Sequence, residues 1–144
     1  MRLYLEPSIL VKMFKREEGS DKVTEVISSI DSRPEWVGHT SRWSFLEVAR
    51  ALRKDGKPKE MIELNLKELR SHRIRVDELT RRILSDAESL ISSYDIYASD
   101  ALHVATFRAL ERKGQLYHFL SDDRHYERLR NILPVIRVKD VWKR

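Results

Sequence analysis

Four acidic residues hold equivalent places along the chain, each at the end of an apolar run or in the opening turns of a helical pattern. They are Glu6, Glu47, Asp100 and Asp123. Carboxylates held close together repel one another unless a cation neutralises them, and hard divalent ions such as Mg²⁺ and Mn²⁺ prefer oxygen ligands. Ions held in this way activate water for in-line attack on a phosphodiester. The four acids are therefore a candidate metal-dependent phosphodiesterase site, provided that the fold brings them together.

Each acid also has a structural interpretation that needs no metal. Glu47 fits a solvated glutamate on a helix, and Asp100, directly after Ser99, fits a favourable charge at a helix N-terminus, worth about 0.3–1 kcal/mol. Asp123, or its neighbour Asp122, fits the cap of a short helix. From residue order alone, these roles and a shared metal site are equally good interpretations.

The elements that must position these acids alternate between short apolar strands and amphipathic helices. Strands are predicted at 3–5, 36–40, 74–76, 117–120 and 135–138, and helices at 8–14, 20–33, 41–55, 57–70, 80–91, 99–113 and 123–130. This alternation predicts an α/β fold with a mostly parallel sheet. The carboxyl ends of parallel strands share one edge of the sheet, so acids at those ends would meet in one crevice.

Four hydroxyl residues are predicted to cap helices, because each directly precedes an amphipathic pattern: Ser20, Ser41, Thr80 and Ser99. The 144 residues fit a single domain, 1–144, which is large enough to bury a core. With no cysteine, the chain has neither disulfides nor thiolate zinc sites, as suits a reducing cytoplasm. Its apolar runs are far shorter than the ~20 residues that span a bilayer, and no signal-peptide pattern opens it, so we expect a soluble cytoplasmic protein.

The net charge of +5 is distributed unevenly. Residues 50–82 hold 11 Lys/Arg against 6 Asp/Glu, and residues 124–144 hold 7 against 2, whereas residues 83–123 hold 3 against 7. A basic body around an acidic centre is typical of a metal-dependent enzyme that acts on a polyanion, although a solvated helical surface gives the same balance. Asp95 and Asp122 are held in reserve as further members of the acidic centre.

Other cofactor chemistries find little support. The five histidines include no pair at i, i+3 or i+4, which argues against a histidine metal site. His103 follows Asp100 by one turn and is assigned a packing role. The four glycines form no dinucleotide or P-loop motif.

Four stretches of this sequence resemble the PIN-domain family, and in particular the VapC-type toxins of toxin–antitoxin pairs. They are residues 5–12 (Leu-Glu-Pro-Ser-Ile-Leu-Val-Lys), residues 40–52 with Thr-Ser and Glu-Val-Ala-Arg-Ala-Leu, residues 99–106 (Ser-Asp-Ala-Leu-His-Val-Ala-Thr) and residues 120–124 (Leu-Ser-Asp-Asp-Arg). The stretches follow the family's order, and the resemblance covers essentially the whole chain.

The resemblance implies a single PIN-like domain whose parallel sheet is flanked by helices on both faces. It implies a ribonuclease dependent on Mg²⁺ or Mn²⁺ that cuts RNA, forms a homodimer and is silenced by a small VapB-like antitoxin. The implied metal-binding and catalytic acids are Glu6, Glu47, Asp100 and Asp123. Ser8, Ser121 and Asp122 are the implied supporting residues.

One position departs from the family pattern, because the family usually has aspartate where this chain has Glu6, and Pro7 stands where a small hydroxyl residue is common. A displacement of ~1 Å in a reacting group can cost about 100-fold in rate. The alternative function is therefore a catalytically weak domain that binds RNA or a partner protein. A phosphoacceptor domain of flavodoxin-like shape ranks third, since it needs an acid pair after the first strand and a lysine where Arg124 follows Asp123.

Overall fold

The computed structural model describes residues 1–115 and 117–143, and within these residues five strands form one wholly parallel sheet. The strands are β1 (Arg2–Leu5), β2 (Val37–Ser41), β3 (Ile74–Asp77), β4 (His118–Leu120) and β5 (Val135–Ile136), in the spatial order β3-β2-β1-β4-β5. The predicted α/β fold is confirmed. The last residue of the basic segment 124–144 lies outside the described residues.

Helices connect the strands. They are α1 (Pro7–Val11), α2 (Ser20–Ser32), α3 (Trp43–Lys54), α4 (Lys59–Ser71), α5 (Arg81–Ser93) and α6 (Ala98–Glu111), with 3-10 helices at Arg124–Leu129 and Val138–Lys143. The helix predicted to reach residue 14 ends at Val11, because the next amides bond three residues back, as Met13 does to Leu10. The last strand, predicted to end at Val138, ends at Ile136, because the Val138 N–H donates to the Asp122 carboxylate at 3.1 Å instead of to the sheet.

Helices cover both faces of the sheet, as predicted. Successive side chains of a strand point to opposite faces, and β1 shows this directly. Leu3 and Leu5 enter a core with Ile9, Val26 and Val48, while Tyr4 enters a second core built largely by α5 and α6. Leu3, Tyr4 and Leu5 are fully buried. β1 is therefore the central strand on which the helices of both faces pack.

The predicted caps hold in part. Thr80 caps α5, and its hydroxyl accepts the Ile83 N–H at 3.1 Å. Ser41 instead ends β2, although its hydroxyl accepts the Trp43 N–H at 3.1 Å and so still serves the start of α3.

Ser20 and Ser99 are not caps. Gly19 holds the cap position of α2 with φ 91°, and the Ser20 hydroxyl accepts the Glu17 N–H in the preceding loop. The cap position of α6 is Tyr97, since the helix begins one residue earlier than predicted. The Ser99 hydroxyl accepts the Trp43 indole N–H at 3.3 Å. Both serines thus bond to other segments rather than to their own helix.

The strand order reverses at β1, so the topological switch point lies between β1 and β4. β2 and β3 extend from one side of β1, after which the chain crosses to β4 and β5 on the other side. Crevices form at such switch points, outside the carboxyl ends of the strands. The Glu6 N–H donates to the Leu120 carbonyl at 3.1 Å, so the pairing of β1 and β4 continues to the mouth of this crevice. Among the described residues, no helix has the length and apolarity to cross a membrane.

Candidate active site

Glu6 leaves β1 at the switch point and serves as the cap residue of α1. Its Oε2 atom accepts the Ser8 N–H at 3.1 Å, the Ser8 hydroxyl, and the Ser121 hydroxyl at 2.8 Å. The side chain is almost completely buried, at 3% exposure. Three donors on one oxygen fix the carboxylate, and the other oxygen is left for the crevice.

The environment of Glu6 opposes its negative charge. Burial raises the pKa of the Glu6 carboxyl from 4.5 to about 7, and the charge on Asp123 adds to the rise. The serine hydrogen bonds and His103 act in the opposite direction. At neutral pH Glu6 is therefore close to the midpoint of its titration, and a cation beside it would favour the charged form.

Glu47 lies on α3, and its carboxylate is hydrogen-bonded to a buried histidine of α6. Its Oε1 atom is 2.5 Å from Nε2 of His103, which is fully buried on α6. On the other side of the ring, Nδ1 of His103 is 2.6 Å from the Tyr4 hydroxyl. A chain of hydrogen bonds thus connects the middle of β1 to Glu47.

The direction of one of these bonds follows from Glu47, because a carboxylate oxygen accepts, so Nε2 of His103 carries the proton of that bond. Burial and nearby carboxylates raise the pKa of the Tyr4 phenol well above 10.0. We infer that the Tyr4 hydroxyl donates to Nδ1 on the other side of the ring. In this arrangement Glu47 accepts, and its rotamer is held from inside the core.

Asp100 stands in the first turn of α6 with one satisfied and one unsatisfied oxygen. Oδ1 accepts the Tyr126 hydroxyl at 3.1 Å. Oδ2 is buried and has no hydrogen-bond partner within residues 1–115 and 117–143. His125 Nδ1 is 3.6 Å from Oδ2, too far for a hydrogen bond. Burial raises the pKa of Asp100, the charge on Asp123 adds to the rise, and the Tyr126 hydrogen bond opposes it.

Asp123 follows β4 and caps the 3-10 helix Arg124–Leu129. Its Oδ1 accepts the His125 N–H at 2.9 Å, and its own N–H donates to the Ser121 hydroxyl at 3.0 Å. The capping role considered from sequence is therefore real. It leaves Oδ2 available, since the side chain is one-third exposed at 33%.

Ser8 and Ser121 tie the loops after β1 and β4 together, as their predicted supporting role requires. Ser121 binds both Glu6 and the Asp123 amide, and Ser8 accepts the Asp122 N–H at 3.2 Å while donating to Glu6. The Asp122 side chain faces away from this network. It pairs with Lys12 at 3.2 Å and accepts the Val138 N–H, so it anchors the loop from behind.

The four predicted acids influence overlapping sets of buried groups through their charges. Asp123 raises the pKa of both Glu6 and Asp100. Burial is the largest cause of a raised pKa at the Tyr126 phenol, and the carboxylates that add to it are Glu6, Asp100 and Glu47. In the part of the chain that the structure describes, however, no three acidic or histidine side chains are close enough to form a ready-made metal site.

Sequence reasoning missed the part played by aromatic and imidazole groups. His103 packs in the core as predicted, and it also bonds to Glu47. Its spacing of three from Asp100, which places both on one helix face, was the available signal. Nothing in the sequence marked Tyr4 or Tyr126 as partners of the site.

Comparisons with known proteins place this geometry in a family. The model of the PIN domain matches residues 3–132. No curated protein sequence matches the chain.

Several solved structures share the fold. A toxin–antitoxin complex from Klebsiella pneumoniae is similar with a TM-score of 0.64 at 16% identity, over 94% of this chain and 96% of that one. VapBC2 from Rickettsia felis, bound to a DNA fragment from its promoter, gives 0.72 at 15% identity, over 95% and 98%. Mycobacterium tuberculosis VapC20, a sarcin-ricin loop cleaving toxin, gives 0.65 at 17% identity, over 84% and 91%. Because the family model matches most of this chain, the chain belongs to the PIN-domain family.

Proposed function

We propose that this protein is a divalent-metal-dependent endoribonuclease and the toxin of a toxin–antitoxin pair. The observation that carries the proposal is the buried Oδ2 of Asp100, which no hydrogen-bond donor in the described residues satisfies. Unpaired buried acceptors are costly, by about 1–3 kcal/mol or more for charged groups. A cation in the crevice removes this cost and also the repulsion from Asp123.

The residues that would hold the ion are Glu6, Glu47, Asp100 and Asp123. A donor set made of carboxylates suits Mg²⁺ or Mn²⁺. When bound, such an ion activates a water and stabilises the charge that develops on the phosphate. Since no three of these side chains are already clustered, ion binding must include some side-chain rearrangement.

The chain's own residues orient the acids. Ser8 and Ser121 hold Glu6, His103 holds Glu47 from behind, and Tyr126 holds one oxygen of Asp100. Residues that hydrogen-bond to metal ligands in this way usually contribute 10–100-fold to metal affinity or activity. The fixed position of the Glu6 carboxylate supports a working site with glutamate at this place.

The proposed substrate is RNA, and the proposed partners are a small VapB-like antitoxin and a second copy of this chain. Family membership supports the nuclease activity, and the similar structure from Klebsiella pneumoniae is a toxin–antitoxin complex. The antitoxin and the homodimer are carried over from this likeness in fold. The proposed setting is the cytoplasm, where such pairs act.

RNA cleavage tests the proposal directly. We expect the wild type to cut single-stranded RNA with Mn²⁺ or Mg²⁺ and not with EDTA, and the double variant Asp100→Asn, Asp123→Asn to be inactive. The matched control is Glu88→Gln, which changes an exposed acid of α5 that is not part of the proposed site and should cut like the wild type. Equal activity of the double variant and the wild type would refute the proposed site.

A second function remains a candidate because the described acids form no ready-made cluster. In that case the protein binds RNA or a protein partner without cutting. The Glu6→Asp variant separates the two. If the serines position glutamate for catalysis, shortening it should lower the rate, whereas complete inactivity of both forms in Mn²⁺, with intact folding, favours the binding domain.

A further inference from the structure

A cleft of about 320 Å³ opens beside the crevice, between the start of α6 and the 3-10 helix Arg124–Leu129. Its lining residues are Asp95, Ile96, Tyr97, Arg124, His125 and Arg128. The volume is within the range of small-ligand pockets. His125 joins the cleft to the crevice, because its Nδ1 is 3.6 Å from a carboxylate oxygen of both Asp100 and Asp123.

Tyr97 provides an aromatic wall that the fold does not require. It occupies the cap position of α6 without making a capping hydrogen bond, although serine, threonine, aspartate and asparagine are preferred there. Tyr97 is 66% exposed, the largest exposed fraction among the exposed large apolar residues that the structure describes. The ring lies 5.3 Å from the His125 ring at an angle of 46°. Exposed aromatic faces of this kind stack on unpaired bases.

Arg124 and Arg128 provide positive charge that no acid neutralises. Both are exposed, and over the described chain neither has a hydrogen-bond or ion-pair partner. Their neighbours differ, since Arg130 and Arg137 both pair with Glu127. Among the described residues 124–143, the arginines without a partner are therefore Arg124 and Arg128, both at the cleft.

We propose that this cleft binds one unpaired nucleotide of a single-stranded RNA, adjacent to the phosphate that is cut. The base would stack on the Tyr97 ring. The Asp95 carboxylate, which lines the same cleft, would accept a hydrogen bond from an exocyclic amino group of the base. The phosphate would contact Arg124 and Arg128. The placement next to the cut rests on the proposed function, whereas the RNA binding itself does not.

The charge arrangement favours a nucleotide over a protein segment. Two unpaired arginines match a phosphate, and guanidinium groups bind phosphate with bidentate geometry. An aromatic ring with a neighbouring acceptor matches a base, and every base has a face on which such a ring stacks. An acidic peptide would match the arginines but would bring its carboxylates close to Asp95, which lines the same cleft.

Binding is measured in EDTA by fluorescence anisotropy, with a short labelled single-stranded RNA of mixed sequence and the same RNA as a duplex. We expect Tyr97→Ser to weaken single-strand binding by about 10-fold and Tyr97→Phe to retain it. The duplex should respond little to either change, because its bases are already stacked. Serine is a better cap than tyrosine, so the melting temperature of Tyr97→Ser should not fall.

Arg124→Gln and Arg128→Gln should each weaken binding and lower the slope of log affinity against log salt by about 0.7, the value for one phosphate contact on a single strand. The matched control is Arg130→Gln, which removes a paired arginine of the same segment and should change the slope little.

The nucleotide site is refuted if Tyr97→Ser and the Arg124→Gln, Arg128→Gln double variant both bind RNA with the affinity and salt slope of the wild type. In that case a protein partner is the remaining occupant of this surface. The proposed nuclease is tested separately by cleavage in Mn²⁺. Absence of cleavage together with Tyr97-dependent binding refutes the nuclease and supports the cleft. Cleavage in Mn²⁺ together with wild-type RNA binding by the Tyr97 and arginine variants supports the nuclease and refutes the cleft.

Discussion

Glu6 and Asp100 are both buried carboxylates of the proposed site, yet their hydrogen bonding differs. Burial raises the pKa of each. On the strand side, one oxygen of Glu6 accepts three hydrogen bonds from Ser8 and Ser121. On the helix side, Asp100 accepts one bond from Tyr126, and its other oxygen accepts none from the described residues.

The difference shows which acid depends on something from outside the chain. The protein itself holds Glu6 in place, so its orientation does not require a ligand. Asp100 is held only in part, and the cost of its buried oxygen is relieved only by a further partner. Glu6 is therefore the oriented member of the site, and Asp100 is the member that gains most from a cation.

The largest expected effect comes from the helix side. Asp100→Asn should lower RNA cleavage by more than about 100-fold, because loss of a residue that only hydrogen-bonds to a metal ligand already costs 10–100-fold in most cases. It should also remove most of the rise in melting temperature that Mn²⁺ gives the wild type, since only a ligand of the native state stabilises it. Ser121→Ala, which removes one donor to Glu6, should keep most of that rise. An equal loss of the Mn²⁺ effect in both variants would contradict the comparison.

On the strand side, the expected effect is on stability and depends on pH. The pKa of the Glu6 carboxyl is about 7 in the folded state, against 4.5 for a glutamate in water, which stands for the unfolded state. The folded state therefore holds the proton more tightly. Its contribution is fully present below about pH 4.5 and is lost as the pH rises through about 7. In EDTA at about pH 8, Glu6→Gln should therefore raise the free energy of unfolding, by up to about 3 kcal/mol.

Urea denaturation of wild type and Glu6→Gln at about pH 5 and pH 8 checks this sign, because the two curves should converge at the lower pH. The glutamine side-chain oxygen can still accept from Ser8 and Ser121, which keeps the comparison one of charge. A glutamine variant that is less stable than the wild type at the higher pH would show that burial does not oppose the charge of Glu6.

The third effect concerns His103, which serves Glu47 as the serines serve Glu6. His103→Leu fills the buried space but removes the donor to Glu47, and we expect cleavage to fall by about 10–100-fold. His103→Gln, whose amide can donate to Glu47, should recover part of the rate. If both variants cleave like the wild type while remaining folded, His103 has only the packing role that its sequence position suggested.

The smallest effect is expected at Tyr4. Tyr4→Phe leaves the stacked contact with Phe119 in place and removes only the hydroxyl that donates to His103. We expect a loss of about 1 kcal/mol in stability, typical of one hydrogen bond, and a fall in cleavage smaller than that of His103→Leu. Thermal unfolding and single-turnover cleavage of the same preparations measure both.

Much of the fold was accessible from local pattern. Alternating apolar strands and amphipathic helices predicted the parallel sheet, because the periodicity of burial is a local property of each element. Glu6 and Asp123 were assigned to one edge because they follow parallel strands, and the Asp100 stretch carried the family resemblance. The misassigned caps at Ser20 and Ser99 show the limit of such reasoning, since their hydroxyls bond to other segments.

Adjacent residues of one type show what only the tertiary structure decided. Asp122 and Asp123 are indistinguishable by composition, yet Lys12 and the Val138 amide draw Asp122 behind the loop while Asp123 stays beside the crevice. The raised pKa of Glu6 depends on burial by two packed layers. The link from Tyr4 through His103 to Glu47 joins residues that are 99 and 56 positions apart. The sequence by itself determined which acids stand at the ends of elements, and packing between distant elements decided how each is held, because burial and hydrogen-bond partners arise from contacts that no local pattern encodes.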